Sequence, residues 1–353
     1  MPESFTCPSR RRRRLSVLMA ELMLVAGAGA ACSDPTSSGR ESSADRIAFT
    51  GSTDGRTDVF VLNADGSGLT RLTTHAAEDH APAWSPDGRR IAFVSERDGN
   101  AELYVMDADG ARQTRLTSSA AVDYWPTWSP DGRRIGFLSE RAGAMGIYSV
   151  DASGANLVRL TPPGGRDMDL AWSPDGRRIA FTSYHDVNDP EVYVVNADGT
   201  ARTRLTNSPG WDGAPEWSPD GRRIAFFSER RPDAGIYVMN ADGSGLARLA
   251  NSSASDYSPR WSPDGRKLLF KSRRDGGFDL YTLSADGSAL VRLTTTGDND
   301  DPAWSADGRR IVFTSTRAAS ADLWVMNADG SAQARLTTSP NWDGDPTWSP
   351  RGR

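Results

Sequence analysis

The chain has 353 residues, enough for one large or two ordinary domains, with 41 basic and 46 acidic side chains and a formal net charge of −5. That balance, without a basic stripe, excludes the usual footprint of a nucleic-acid binder. Two cysteines and three histidines leave little material for a disulfide framework or a histidine-rich metal centre.

Residues 1–31 read as an export leader. Arg10 to Arg14 precede an apolar stretch from Leu15 to about Ala26, followed by small residues up to Ala31. Glu21 interrupts the stretch, which falls short of the ~20 apolar residues that span a bilayer. Ser9-Arg10-Arg11 also admits twin-arginine export beside the general route. Ala30-Ala31-Cys32-Ser33 resembles the lipobox of bacterial lipoproteins, although Gly29 stands where that motif has leucine; plain cleavage after Ala28-Gly29-Ala30 is the alternative. Loss of the leader removes Cys7, so Cys32 is left as the sole thiol, and lipidation accounts for it. The remainder carries 36 basic and 44 acidic residues, near −8. Residues 32–45, rich in serine, are expected to be a flexible tether.

From residue 46 onward the chain repeats. Trp84, Trp128, Trp172, Trp217, Trp261, Trp304 and Trp348 recur at intervals of 44, 44, 45, 44, 43 and 44 residues. In one unit, Ala81-Pro-Ala-Trp84, Arg90-Ile-Ala-Phe-Val-Ser95, Glu102-Leu-Tyr-Val-Met106 and Gln113-Thr-Arg-Leu-Thr117 are four short β-prone runs. Ser85-Pro86-Asp87-Gly88 and Asp107-Ala-Asp109-Gly110 supply the turns, the second read as a tight Asp-Gly hairpin. Ile91-Ala-Phe-Val94 is apolar on both faces, so both faces of its sheet must be covered. Antiparallel sheets buried on both sides and repeated every 43–45 residues predict blades around an axis, with each tryptophan filling the wedge between neighbours. A unit lacking its first strand opens at Arg46, and Trp348-Ser349-Pro350 supplies that strand at the other end. The expectation is an all-β, seven-bladed propeller over residues 46–353, of four-stranded antiparallel blades, closed by the C-terminal strand completing the first blade.

Trp84-Ser-Pro-Asp-Gly-Arg-Arg-Ile-Ala-Phe93, Tyr237-Val-Met-Asn-Ala-Asp-Gly-Ser244 and Arg115-Leu-Thr117 resemble the TolB-type WD-like propeller repeat throughout residues 46–353. That repeat type also builds the propellers of prolyl-oligopeptidase-like and tricorn-type proteases and of some pectate-fragment lyases, so the repeat alone leaves activity open. The resemblance to TolB implies six blades behind an α/β domain, whereas only residues 32–45 separate leader from repeats here. The proteases carry a hydrolase domain with a Gly-x-Ser-x-Gly elbow, and the lyases a histidine cluster with a metal. Neither pattern is visible beside His75, His80 and His185.

Function is expected on the face opposite the near-invariant turns, where the interblade loops vary. Five residues before each framework tryptophan stand Asp79, Asp123, Asp167, Asp212, Asp256, Asn299 and Asp343, expected as a ring around the channel mouth. Each either shapes its own loop or joins an acidic rim that attracts a cation or a basic partner segment. Irregular neighbours complete the candidate set: His80, Tyr124, Trp125, Asp169, Trp211, Tyr257, Asp300, Asp301, Trp342 and Asp345. Large aromatics on loops mark contact surfaces or pack over the loop itself. Asn-Ala-Asp-Gly-Ser lacks the twelfth-position glutamate of a calcium loop, and no nucleophile motif stands out. We therefore expect a monomeric, non-enzymatic envelope scaffold without cofactor, metal or nucleic acid. Its partner is an envelope protein segment or a glycan, and its membrane contact is a lipid at Cys32. A lyase or hydrolase with its site at the channel mouth is the alternative.

Overall fold

The computed structural model describes residues 45–350 except 54, 186–188, 250–255 and 319. The leader, Cys32 and the tether up to residue 44 lie outside the described residues. Among the described residues seven four-stranded antiparallel sheets form, and no helix. Blade 2 shows the common plan: Asp79–Trp84, Arg90–Ser95, Glu102–Asp107 and Thr114–Arg115 in sheet order. Blade 1 is composite, since Asp343–Trp348 pairs with Arg46–Thr53, which pairs in turn with Arg56–Asn63 and Thr70–Arg71. The expected closure is therefore present, with Trp348 opposite Ile47.

The second strand of each blade is buried on both faces. Ile91, Ala92, Phe93 and Val94 are all fully buried, and a phenylalanine recurs at the same place in every blade, from Phe49 to Phe313. Each such side chain contributes roughly 1.5–3 kcal/mol of transfer free energy. Trp128 packs with Ala92, Val94 and Leu103 of one blade and Ile135 and Phe137 of the next, and so fills the wedge. Its indole Nε1 also donates to the carbonyl of Ala83 at 3.0 Å, one blade back. Trp172, Trp261 and Trp348 repeat that bond to Thr127, Glu216 and Ala303. Over the ring lies the second arginine of Gly-Arg-Arg: Arg90 stands 4.7 Å from the Trp128 centroid, Arg178 4.7 Å from Trp217 and Arg223 4.6 Å from Trp261. A cation on an indole face contributes about 0.5–2 kcal/mol, depending on exposure.

The turns follow the same economy. In Ser85-Pro86-Asp87-Gly88 the Ser85 hydroxyl donates to Asp87 at 2.6 Å, and the Arg89 and Arg90 amides donate to Asp87 and Ser85. The link from third to fourth strand is longer than a tight hairpin: it runs over residues 108–113, with left-handed φ at both Gly110 and Arg112. The fourth strand holds only two residues, and side chains take over from the ladder. In Arg115-Leu-Thr117, Arg115 pairs with the buried Glu102 at 3.1 Å, Thr117 donates to the same carboxylate at 2.6 Å, and its hydroxyl accepts from the Leu103 amide. Asp58, Glu191, Asp279 and Asp322 stand in for Glu102 in four other blades.

Trp128→Ala is expected to destabilise the chain by about 3–5 kcal/mol in urea unfolding. In that background Arg90→Ala should cost at least ~0.5 kcal/mol less than it does alone, because its aromatic partner is gone.

Candidate functional site

The seven residues five places before the tryptophans do not form a ring at the channel mouth. All are buried, with exposures of 0–3 %, and they sit inside the blade. The arginine after the second strand reaches back to them: Arg97 to Asp79 at 3.1 Å, Arg141 to Asp123 at 2.6 Å, Arg230 to Asp212 at 2.7 Å and Arg274 to Asp256 at 2.8 Å. Arg317 donates to Asn299 at 2.9 Å, a neutral version of the clamp. Asp167 instead accepts from Ser183 at 2.6 Å, because His185 occupies the arginine position. Burial raises the Asp167, Asp212 and Asp256 carboxyls above the usual range despite these donors. This geometry favours the loop-shaping role.

What faces the channel stands two places later. The ladder between first and second strands breaks in every blade, as between His80 and Ala83, and the residue three before each tryptophan adopts a left-handed φ of 47–57°. These residues are Ala81, Trp125, Asp169, Ala214, Ser258, Asp301 and Asp345. Proline follows in six of the seven, where a missing N–H costs no ladder bond. A bulge of this kind re-aims the side chain, here toward the axis.

A cavity of about 520 Å³ lies on that axis, because its walls come mainly from the inner strands of blades 1, 2, 3, 4 and 6, with Leu138, Met145 and Arg166 added from beside them. Ala81, Pro82, Pro126, Leu138, Met145, Met168 and Leu170 give it an apolar side; Asp169, Asp345, Arg166 and Arg260 give the polar one. Trp125 stands at its edge, 60 % exposed. The cavity opens where the repeat is least regular. Leu170 replaces the usual proline, and Gly136 makes room for it, since a Cβ there would lie 3.0 Å from the Leu170 side chain.

The carboxylates are positioned from below. Asp169 accepts from Thr182 at 2.8 Å and from the Ala214 amide of the next blade at 3.2 Å. Asp345 accepts from Thr50 at 3.2 Å, whose hydroxyl accepts from the Ala81 amide. Lys271 holds Asp300 at 2.6 Å, and Arg260 pairs with Glu216 at 3.2 Å. Asp301 and Asp345 keep solvent contact through the channel, yet the blades crowd them. That desolvation, with the charges of Asp300 and Asp345, pushes Asp301 up to about 6; crowding raises Asp345 as well.

Of the other sequence candidates, Tyr124 is half-buried beside Trp125, and Tyr257 lies half-buried between Phe227 and Phe278. His80 is half-buried near Asp345. Trp211 and Trp342 fold over their own strands: a Cβ at Gly213 would lie 2.4 Å from the Trp211 ring, and one at Gly344 2.2 Å from the Trp342 ring. Trp-Asp-Gly in both blades was the available signal for this packing. Trp125, Asp169 and Asp345 come together around the cavity, with Asp167 in its wall; Arg166, Arg260, Met145 and Leu170 were not among the candidates. Among the described residues no three His, Cys, Asp or Glu side chains converge to hold a metal ion.

Asp301 is more basic in the fold than in the unfolded chain. Its contribution to stability is therefore greatest below the unfolded value near 3.8 and is lost as pH rises through about 6. Asp301→Asn should flatten stability against pH across that window, read by urea midpoints at a series of pH values.

The TolB beta propeller domain family matches residues 78–170 and 166–353. No curated protein matches the chain in sequence. Among solved structures it is similar to TolB from Acinetobacter baumannii, with 22% identity and a TM-score of 0.61 over 86% of this chain and 82% of that one. The oligogalacturonate lyase of Vibrio parahaemolyticus gives 16% identity and 0.63 over 83% and 85%. A puromycin-hydrolyzing peptidase of Mycobacterium tuberculosis gives 17% and 0.65 over 84% of this chain and 54% of its own. These structural likenesses concern the fold; with the family match and seven blades of the repeat in place, the chain belongs to the TolB β-propeller domain family.

Proposed function

We propose that the chain is an exported, non-enzymatic binding scaffold that receives a protein segment at the mouth of its channel. The observation that carries this reading is the 520 Å³ axial cavity with Trp125 standing free at its edge. An indole that neither fills a wedge nor lies on its own strand offers a large rigid contact at little entropic cost. The walls suit a side chain and the backbone flanking it. Methionine, leucine and proline accept an apolar anchor, while Asp169, Asp345, Arg166 and Arg260 meet polar groups at the margins. Export rests on the leader, and anchoring on Cys32.

Crosslinking in native envelopes tests the site. Trp125→Ala should reduce the recovered partner by about tenfold or more, the scale of a binding hot spot. Trp211→Ala should lower thermal stability and leave partner recovery within about threefold, because that ring packs on Phe227. Unchanged recovery with Trp125→Ala would sink the reading. For the anchor, Cys32→Ser should move the protein from the membrane to the soluble fraction; retention in the membrane would count against lipidation there.

A further inference from the structure

Six of the seven blades hold a guanidinium over the aromatic ring of the third strand. Arg97 stands 4.7 Å from Tyr104, Arg141 5.1 Å from Tyr148, Arg230 4.4 Å from Tyr237, Arg274 4.8 Å from Tyr281 and Arg317 4.5 Å from Trp324. Blade 4 has lost this arginine to His185, yet Arg202 arrives from the link between third and fourth strands and stands 4.2 Å from Tyr193. Among the described residues, blade 1 shows no replacement. Its sequence has Thr53 at the arginine position and Leu69 where Arg202 enters blade 4. The rest of the clamp is intact: Phe49 and Phe60 are stacked at 5.5 Å, and the buried Asp343 occupies the carboxylate position.

In place of the guanidinium there is a cavity of about 260 Å³, lined among others by Phe49, Phe60, Ser52, Thr337 and Asp343. Thr337 beside it holds the Asp343 carboxyl down, but burial, together with the nearby Asp322, pushes it up to about 6, against the smaller pull of Arg335. The chain itself thus shows how these groups are used, since the equivalent carboxylates of four other blades each bind an arginine within 3.1 Å.

We propose that this cavity is a guanidinium site, in which an exogenous arginine side chain takes the place of the framework arginine that blade 1 lacks. The aromatic pair supplies a face for the planar cation, and Asp343 supplies a charge-assisted acceptor. Such a site discriminates against an alkylammonium, which cannot stack and fork at once. It lies in the composite blade, apart from the axial cavity, and shares no lining residue with it.

Calorimetric titration of the full chain with N-methylguanidinium, L-arginine, a capped Gly-Gly-Arg-Gly-Gly peptide and N-butylammonium tests the proposal. One guanidinium per chain is expected to bind saturably at neutral pH, with no matching response to butylammonium. Affinity should fall as pH drops below about 6, where Asp343 takes up a proton. Asp343→Asn should weaken binding by about tenfold or more. Thr53→Arg, which restores the arginine in cis, should abolish binding and raise the melting temperature; if that variant fails to fold, Phe60→Ala should still weaken binding. Tighter binding of the peptide than of arginine identifies a partner's side chain as the source, and the reverse identifies the free amino acid. Absence of saturable binding, an equal response to butylammonium, or undiminished binding in Asp343→Asn overturns the proposal.

Discussion

The ring depends on one indole used in two ways at once. Its apolar surface fills the gap that opens when sheets are fanned around an axis, and in Trp128, Trp172, Trp261, Trp304 and Trp348 its single N–H donates to the blade behind. Trp128 does both, touching Ala92 and Phe137 while bonding to Ala83. Because the arginine above the ring comes from the previous blade, as Arg90 does for Trp128, each contact spans a blade boundary. Geometry is thus transmitted around the circle by nearest-neighbour contacts, as in other repeat folds. At one boundary Lys267 stands in place of the stacking arginine before Trp304, and that tryptophan is only half-buried.

Within each blade the polar groups follow a matching logic. A carboxylate that would be costly to bury alone is given an arginine, and that arginine an aromatic face. Short fourth strands are tolerable because Arg115, Thr117 and Glu102 replace ladder bonds with charge-assisted ones. The left-handed residue in each inner strand is a recurrent local cost, on the order of 1 kcal/mol for a non-glycine, as is the one at Arg112 and its equivalents Asn156, Ala201, Ala289 and Ala332. The one in the inner strand is also what turns seven side chains toward the axis. Scaffold and site are therefore coupled through a single backbone irregularity.

The architecture was legible in the sequence because period, turn chemistry and apolar runs all agreed from Ile47 to Trp348. The site was less so. Counting back from the tryptophans located Asp79 and its equivalents correctly along the chain and assigned them to the wrong surroundings. Spacing gives recurrence but not side-chain direction, and one bulge reverses which face a residue occupies. The trace of that bulge was the proline two places before six of the tryptophans. Trp211 and Trp342 resemble free loop aromatics in sequence, but the glycine two residues on leaves space for each ring over its own strand. Arg260 and Met145 had no signal, since they meet across the axis from distant blades.

The composite first blade has a consequence in time. Trp348 must pair with Ile47, 301 positions earlier, before the circle exists, and the last blade has no neighbour on one side until then. Contacts of such sequence separation form slowly and late. A chain built this way remains an open arc, with two uncovered sheet faces, throughout its synthesis. The strand that seals the molecule is thus among the last to be made, and until it pairs with Arg46–Thr53 that sheet edge stays open to other partners.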